Sequence, residues 1–215
     1  MNPKPWLVHL LRFFFKHLYT TFAWAYDFVA WATSMGQWRT WQSAALHEDL
    51  QDPILELGAG PGHLLLDLLR KGHSAVALDA SRQMTRLAAD RLRRKGFHAS
   101  LLRAKAQNIP LPANTFAEVI STFPSEYIFD RHTLEEIWRV LRPGGELIVV
   151  GVAHITGRGV HDRLASWLYR FTGQAGDPGD RWMQPLEEMG FKPRLERVRQ
   201  PRAIVLRFRA RKPVS

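Results

Sequence analysis

The sequence contains no cysteine. A chain without thiols forms no disulfide framework, holds no metal through thiolates and has no cysteine nucleophile. It also lacks internal repeats and low-complexity segments, and its 46% apolar and 23% charged residues are ordinary for a globular protein. A length of 215 residues suits one domain with a real core, with or without an added helical segment. The chemistry of this chain therefore has to come from other residue types.

Long uncharged apolar runs are missing as well. Residues 5–33 are rich in apolar and aromatic side chains, but they are interrupted by His9, Arg12, Lys16, His17 and Asp27. No stretch of about 18 uncharged residues is left to span a bilayer. A signal peptide is not expected either, because no small-residue cleavage site follows a clean apolar region.

The basic residues in this segment recur at helical spacing. His9, Arg12 and Lys16 predict an amphipathic helix with a basic stripe and an aromatic face. Such a helix can pack on the domain as a lid, or it can lie in a membrane interface through residues 5–20. Both interpretations stay open at this point.

Acidic residues are too few to balance the basic ones, and the net charge is +10. The excess lies in residues 151–215, with thirteen basic and six acidic residues, against thirteen and eleven in residues 51–150. A basic surface of this kind suits nucleic acid, anionic lipid headgroups or an acidic substrate. A solvated arginine-rich surface explains it equally well.

The most informative stretch is residues 54–63, an apolar run that breaks into glycines and a proline before a helical pattern. A strand that turns through Gly58, Gly60 and Gly62 into a helix exposes backbone N–H groups at one point, which suits a nucleotide-like ligand. The dinucleotide fingerprint would place its last glycine at His63. Glu56 would repel a pyrophosphate, whereas it suits a ligand that carries an ammonium group.

A second predicted strand ends in Asp79, 21 residues after Gly58. An acid about 20 residues beyond the first glycine is placed to accept hydrogen bonds from ribose hydroxyls. The alternative role for Asp79 is to cap the following helix, but Ser81 is the better N-cap for a helix over Gln83–Lys95. The spacing therefore favours a nucleoside cofactor.

These motifs together resemble those of a known family. Glu56-x-Gly58-x-Gly60-x-Gly62, then Asp79-x-Ser81-x-x-Met84, then Leu141-x-Pro143-Gly144-Gly145 before an apolar strand are similar to the motifs of class I S-adenosylmethionine-dependent methyltransferases. Tyr26-Asp27 and Ser34-x-Gly36-x-x-Arg39-x-Trp41 resemble the N-terminal segment of the ubiquinone/menaquinone-biosynthesis C-methyltransferases.

The resemblance, with the alternation of strands and helices, implies an α/β fold. We expect a Rossmann-like, seven-stranded, mostly parallel sheet with an antiparallel last strand, plus an N-terminal helical cap. The domains expected are the cap over residues 1–48 and the methyltransferase domain over residues 49–215.

Several elements are predicted along this fold. The third and fourth strands are expected at Phe97–Leu102 and Glu118–Phe123. Helices are expected at His132–Leu141, ended by Gly144 and Gly145, at His161–Phe171 and at Trp182–Met189. The terminal strands are expected at Phe191–Val198 and Ala203–Ala210, the second of them with one apolar and one largely basic face.

The resemblance also implies S-adenosyl-L-methionine as cofactor. Its implied contacts are Glu56, Gly58, Ala59, Gly60, Gly62, Asp79, Ala80, Met84, Ala106, Gln107 and Thr122. The sequence departs from the family at Lys105, which stands where an acid or amide usually meets the adenine amino group, and a lysine cannot accept from an amine. Either the backbone near Ala106 and Gln107 contacts the adenine, or cofactor affinity is weak.

The methyl acceptor is predicted to be small and hydrophobic or lipid-like, because aromatic residues are dense in the N-terminal segment. In-line methyl transfer depends mainly on alignment. Where a base is needed, the candidates by position are Tyr26, Glu126, Tyr127, His154 and His161. No metal is expected, because the histidine spacing fits no familiar ligand set.

Two other functions are weighed against this one. They are an RNA or protein methyltransferase that uses the basic C-terminal third, and a non-catalytic S-adenosylmethionine-binding module. The loop after the fourth strand lacks the motif of enzymes that methylate base amines, which makes nucleic acid the weaker alternative. We expect a cytoplasmic protein, with peripheral contact to the inner membrane face if residues 5–20 lie in the interface.

Overall fold

The computed structural model describes residues 37–155, 179–201 and 203–214. Most of the predicted cap and the predicted helix His161–Phe171 lie outside these ranges. The described chain forms a seven-stranded sheet of order β3-β2-β1-β4-β5-β7-β6. The strands are β1 (Ile54–Leu57), β2 (Ala75–Asp79), β3 (Ser100–Arg103), β4 (Phe116–Thr122), β5 (Leu141–Ile155), β6 (Lys192–Gln200) and β7 (Ala203–Arg211).

Neighbouring strands from β3 through to β5 pair in parallel, and β7 runs antiparallel to both β5 and β6. This arrangement confirms the predicted fold class. The helices are α1 (Trp38–Gln42), α2 (His63–Arg70), α3 (Arg82–Arg94), α4 (Arg131–Val140) and α5 (Gly179–Glu188). Short 3-10 turns at Ser43–Ala45 and Glu126–Phe129 complete the described elements.

Helices cover both faces of the sheet. All four residues of β1 are buried, as expected of a central parallel strand with helices on both sides. On one face, side chains such as Leu57 and Val149 pack with α4 and α5. On the other face, side chains such as Ile54 and Ile148 pack with the leucines of α2. The sheet is therefore a rigid base for the loops at its edge.

The order of the strands reverses between β1 and β4, because β1 leads outward to β2 and β4 leads outward to β5. Ligands of open α/β sheets bind beyond the carboxyl ends of the strands at such a reversal. The β1–β4 pairing stops at Glu56 and Ile120, so the two strands separate before they end. The glycine-rich turn after β1 and the loop after β4 lie at this crevice.

The capping prediction for α3 is confirmed, since the Ser81 Oγ accepts from the Met84 amide at 3.3 Å. The third strand begins three residues later than predicted, because Phe97 belongs to the end of α3. The Phe97 and Gly96 amides donate to the Leu92 and Arg93 carbonyls, and Gly96 has φ +74°. These bonds form a Schellman motif, which uses the Phe97 amide before a strand can.

The predicted role of Gly144 and Gly145 as the end of α4 was wrong. The helix ends at Val140, and Leu141 already has extended backbone angles. Gly145 instead allows two backbone segments to pass close to each other. A Cβ on Gly145 would lie 2.9 Å from the Ala117 carbonyl oxygen, which is closer than real contacts allow. Glycine is needed there because the chain passes against the start of β4.

The two faces predicted for the last strand are confirmed. Leu206, Phe208 and Ala210 are buried against α4 and α5. On the opposite face Arg209 forms an ion pair with Glu146, and Arg207 one with Glu196 at 2.6 Å. Part of the basic excess of the C-terminal third is therefore neutralised within the sheet.

Candidate active site

Three glycines shape the turn between β1 and α2. Gly58, Gly60 and Gly62 all have positive φ angles, at +70°, +53° and +76°, which side chains with a Cβ rarely adopt. A Cβ on Gly62 would also lie 2.8 Å from the Ala88 Cβ of α3. The turn therefore requires glycine both for its backbone angles and for the close packing of α3. Ala59 is buried beneath the turn.

Asp79 ends β2 and closes the side of this turn. Its Oδ2 accepts from the Gly60 amide at 2.8 Å, and its Oδ1 accepts from the Ser81 amide at 2.7 Å. Burial raises the pKa of this carboxyl, and the two amide bonds oppose that rise. Each carboxylate oxygen still has a lone pair for a further donor. The structure thus places the acid directly at the glycine turn, and its ribose role stays a prediction.

Glu56 lies beneath the same turn and is only 1% exposed. The Leu65 amide in the first turn of α2 donates to its carboxyl group, but the Oε2 atom has no hydrogen-bond partner. Burial raises the pKa of Glu56 to about 8, with further contributions from the negative charges of Asp79 and Asp67. A ligand ammonium in the crevice would supply the missing counter-charge. The residues therefore fit the zwitterionic end of S-adenosylmethionine.

Tyr127 reaches the turn from the opposite side of the crevice. Its hydroxyl lies 2.4 Å from the position that a Cβ on Gly58 would take. It donates to the Leu57 carbonyl at 3.3 Å and lies 3.1 Å from the Ser121 Oγ. Its neighbour Glu126 is exposed on the same 3-10 turn. The catalytic roles assigned to both residues remain predictions.

Aromatic side chains form one wall at the carboxyl end of β4. Phe123 has φ +48°, an uncommon value for a bulky residue, and its ring packs against Trp38 at 4.5 Å and Trp41 at 6.4 Å between centroids. The Gln42 side-chain amide donates to the Thr122 hydroxyl at 3.2 Å. The sequence indicated aromatic density before β1, but no local pattern reveals that Phe123 takes this conformation.

The remaining predicted cofactor contacts lie around the ends of β2 and β3. Ala80 is exposed next to Asp79, while Met84 is 1% exposed, so its side chain lies inside the protein. Ala106 is buried and Gln107 half-buried in the turn after β3. That turn is closed by a bond from the Asn108 amide to the Lys105 carbonyl at 3.0 Å. Their contacts with adenine stay predictions.

Three candidate bases are not tested by the structure. Tyr26 lies outside the described residues, as does the segment that contains His161. His154 is paired with Ile204 in the backbone register of β5 and β7, and its side chain is outside what is described. In the described residues no group of three or more histidines, aspartates or glutamates could hold a metal ion.

Comparisons with known proteins agree with this geometry. Residues 54–145 match the family described as a methyltransferase domain. This match, together with the sheet order and the glycine turn, supports a class I S-adenosylmethionine-dependent methyltransferase. S-adenosyl-L-methionine is the cofactor of this class.

Among its relatives, the ubiquinone/menaquinone biosynthesis C-methyltransferase of Syntrophotalea carbinolica is 31% identical over 161 residues, which cover 72% of this chain and 66% of that protein. The demethylmenaquinone methyltransferase of Thermobifida fusca is 29% identical over 149 residues, which cover 66% of this chain and 62% of that protein. The chain spans between 53% and 66% of the length of the curated relatives it matches.

The solved structure of Haemonchus contortus phosphoethanolamine N-methyltransferase 2 with S-adenosyl-L-methionine is similar in fold. It gives a TM-score of 0.63 at 14% identity and covers 92% of this chain and 59% of that chain. No helix in the described ranges is both long and apolar enough to cross a membrane.

Proposed function

We propose that this chain transfers the methyl group of S-adenosylmethionine to a small, hydrophobic or lipid-like acceptor. The observation that carries the proposal is the bond of 2.8 Å between the Gly60 amide and Asp79, which joins the glycine turn and the acid at the point where the strand order reverses. The buried carboxyl of Glu56 supports it, because its free oxygen suits the ammonium of an amino-acid ligand.

The cofactor supplies an activated methyl group on a sulfonium. Glu56, the glycine turn and Asp79 would hold this cofactor, and an acceptor in line with its methyl group would gain a bond to carbon as the carbon–sulfur bond breaks and its electron pair returns to sulfur. Such alignment alone accounts for a large part of the acceleration in reactions of this kind. The acceptor would lose a proton, and we assign its acceptance to Glu126, an exposed carboxylate on the 3-10 turn after β4.

The proposed acceptor class rests on the aromatic wall. The partly buried rings of Phe123 and Trp38 lie together at the carboxyl end of β4, and the buried ring of Trp41 packs behind Phe123. Flat or apolar groups pack favourably on such rings. Relatives named for ubiquinone, menaquinone and demethylmenaquinone chemistry support a quinone-like acceptor.

The test is transfer of tritium from methyl-labelled S-adenosylmethionine to a reduced prenyl-naphthoquinone without its ring methyl group. We expect label in the organic phase with the wild-type chain, and a loss of at least tenfold in Phe123→Leu with unchanged binding of S-adenosylhomocysteine. Trp182→Phe is a matched aromatic control on the other face of the sheet, where it packs against Phe129. Transfer to phosphoethanolamine or tRNA, with none to the quinol, would contradict the acceptor class.

The proposed membrane contact concerns residues 5–20, which lie outside the described ranges. Co-sedimentation of the chain, with and without residues 1–20, with vesicles of phosphatidylglycerol and phosphatidylcholine tests it. We expect the full chain to pellet more strongly than the shortened one. Equal pelleting would contradict this contact and the peripheral location inferred from it.

A second candidate function is methylation of RNA, favoured by the exposed cations of the edge strand β6. Four basic residues of this strand are exposed: Lys192, Arg194, Arg197 and Arg199. Of these, Arg194 forms ion pairs with carboxylates in the described part of the chain. Contacts with phosphates would make RNA binding fall steeply with salt concentration. Binding of tRNA that is weak and insensitive to salt would remove this candidate.

A further inference from the structure

We propose that the hydroxyl of Tyr127 binds the carboxylate at the amino-acid end of the cofactor, so that Tyr127 positions the cofactor rather than acting as a base. This inference rests on the proposed function. It assigns a role to a residue that lies about 70 positions away from the glycine turn along the chain.

Tyr127 lies against the glycine turn. The Tyr127 hydroxyl lies 2.4 Å from the position of a Cβ on Gly58, and the next ring atom, Cζ, lies 3.5 Å from it. The hydroxyl therefore rests directly on the backbone of the first glycine. A ligand that lies along this backbone has to pass beside the hydroxyl.

The Tyr127 proton can be redirected from its present acceptors to a ligand. The Leu57 carbonyl already accepts a bond of 2.8 Å from the Ser121 hydroxyl, whereas the Tyr127 hydroxyl lies 3.3 Å from that carbonyl and 3.1 Å from the Ser121 Oγ, both neutral acceptors. The carbonyl keeps its shorter bond if Tyr127 turns its proton elsewhere. A hydrogen bond to a carboxylate is stronger than one to a neutral carbonyl, so redirection of this proton is favourable.

The groups around the turn differ in the charge that each can bind. Glu56 lies beneath it and suits an ammonium, but a carboxylate on the same ligand needs a donor on another side. Asp79 lies at the Gly60 end and is also an acceptor. Tyr127, at the Gly58 end, is the hydroxyl donor that the described residues place on the turn. The two ends of an amino-acid zwitterion are thus matched by Glu56 and Tyr127.

The test compares S-adenosylhomocysteine with its decarboxylated form, which keeps the ammonium group, by calorimetry on the wild-type chain and on Tyr127→Phe. A hydrogen bond to a charged group contributes about 1.5–3 kcal/mol, or about tenfold to a hundredfold in affinity. We expect the substitution to weaken the binding of S-adenosylhomocysteine by at least tenfold and that of the decarboxylated form by less than twofold. In Tyr127→Phe, S-adenosylhomocysteine and its decarboxylated form should therefore bind with similar affinity.

Phe129→Leu is the matched control, because Phe129 lies on the same 3-10 turn but packs against Trp182 at 4.7 Å. It should leave the affinities for both ligands unchanged. Kinetics give a second readout, since a positioning role raises the KM for S-adenosylmethionine, whereas a base would lower kcat at unchanged KM.

Equal weakening of both ligands by Tyr127→Phe, or no weakening of either, would overturn the inference. In the wild-type chain alone, equal affinity for the two ligands would also overturn it, whether or not the variant folds. If the wild-type chain binds neither ligand, the proposed function itself fails. The two failures are therefore distinguishable.

Discussion

Replacement of Glu56 by glutamine should change the way in which stability depends on pH. The side chain is buried, and its pKa is raised from 4.5 to about 8 by burial and by the charges of Asp79 on β2 and Asp67 on α2. The Leu65 amide of α2 opposes this rise. Between pH 4.5 and pH 8, the folded chain therefore holds a proton that the unfolded chain has lost.

The sign follows from this difference in bound protons. Stability falls as pH rises wherever the folded state binds more protons than the unfolded state. A pKa raised from 4.5 to about 8 corresponds to about 5 kcal/mol, at 1.4 kcal/mol for each tenfold change. Because relaxation around the ionised carboxylate recovers part of this penalty, we expect a loss of about 2–5 kcal/mol by pH 9.

The assay is urea unfolding of the wild-type chain and Glu56→Gln at intervals from pH 4.5 to pH 9. Other titrating groups largely cancel in the difference between the two free energies of unfolding. The free energy of unfolding of the variant should increase steadily relative to that of the wild type as the pH rises through this window. A difference that does not depend on pH, or that changes in the opposite direction, would refute the reasoning.

The Glu56 carboxyl should also couple the release of a proton to the binding of the cofactor. At pH 7 the Glu56 carboxyl is protonated, and a ligand ammonium beside it favours ionisation. Binding of S-adenosylhomocysteine should therefore release up to one proton, seen as a dependence of the calorimetric enthalpy on the ionisation enthalpy of the buffer. Glu56→Gln should show no such dependence, and an equal proton release in both chains would contradict the assignment.

Three further substitutions test other parts of the structure. Asp79→Asn should weaken the binding of S-adenosylhomocysteine, measured by calorimetry, by at least tenfold, because it removes the charge that two ribose hydroxyls would share. Gly58→Ala should destabilise the chain in thermal unfolding, and part of that loss should be recovered by Tyr127→Phe, which removes the hydroxyl 2.4 Å from the new Cβ. Lys212→Met should lower the free energy of unfolding in urea by about 2–4 kcal/mol, because its ammonium donates to two backbone carbonyls and one side-chain amide.

Each of these has a control in the chain. Asp90→Asn removes an exposed acid of α3 and should not change cofactor affinity. Gly60→Ala meets no atom within 4 Å, so Tyr127→Phe should not recover any of its loss. Lys192→Met removes an exposed lysine and should have little effect on stability. Recovery at Gly60, or equal effects of the two lysines, would contradict the packing described.

The local parts of the site could be predicted from the sequence. The strand, glycine turn and helix at residues 54–70 are encoded by neighbouring residues, and so is the cap at Ser81. The alternation of apolar and basic residues along β7 likewise fixed its two faces, because a strand turns every second side chain to the same side. Placement of Asp79 beside the turn follows from the parallel pairing of β1 and β2.

Other features depend on contacts between distant segments and could not be predicted in this way. Tyr127 meets Gly58 only because the 3-10 turn after β4 folds back across the crevice. The raised pKa of Glu56 depends first on its burial between packed elements and then on the charges of two acids from different elements. At Gly145, the motif was recognised but its role was misread, because the contact that requires glycine is with Ala117 of another strand.

The most direct test of the account is calorimetric titration of the wild-type chain and of Asp79→Ala with S-adenosylhomocysteine. We expect a single site per chain in the wild type and at least a tenfold loss of affinity in the variant, with adenine alone bound weakly by both. Absence of binding to the folded wild-type chain, or the same affinity in both chains, would contradict it.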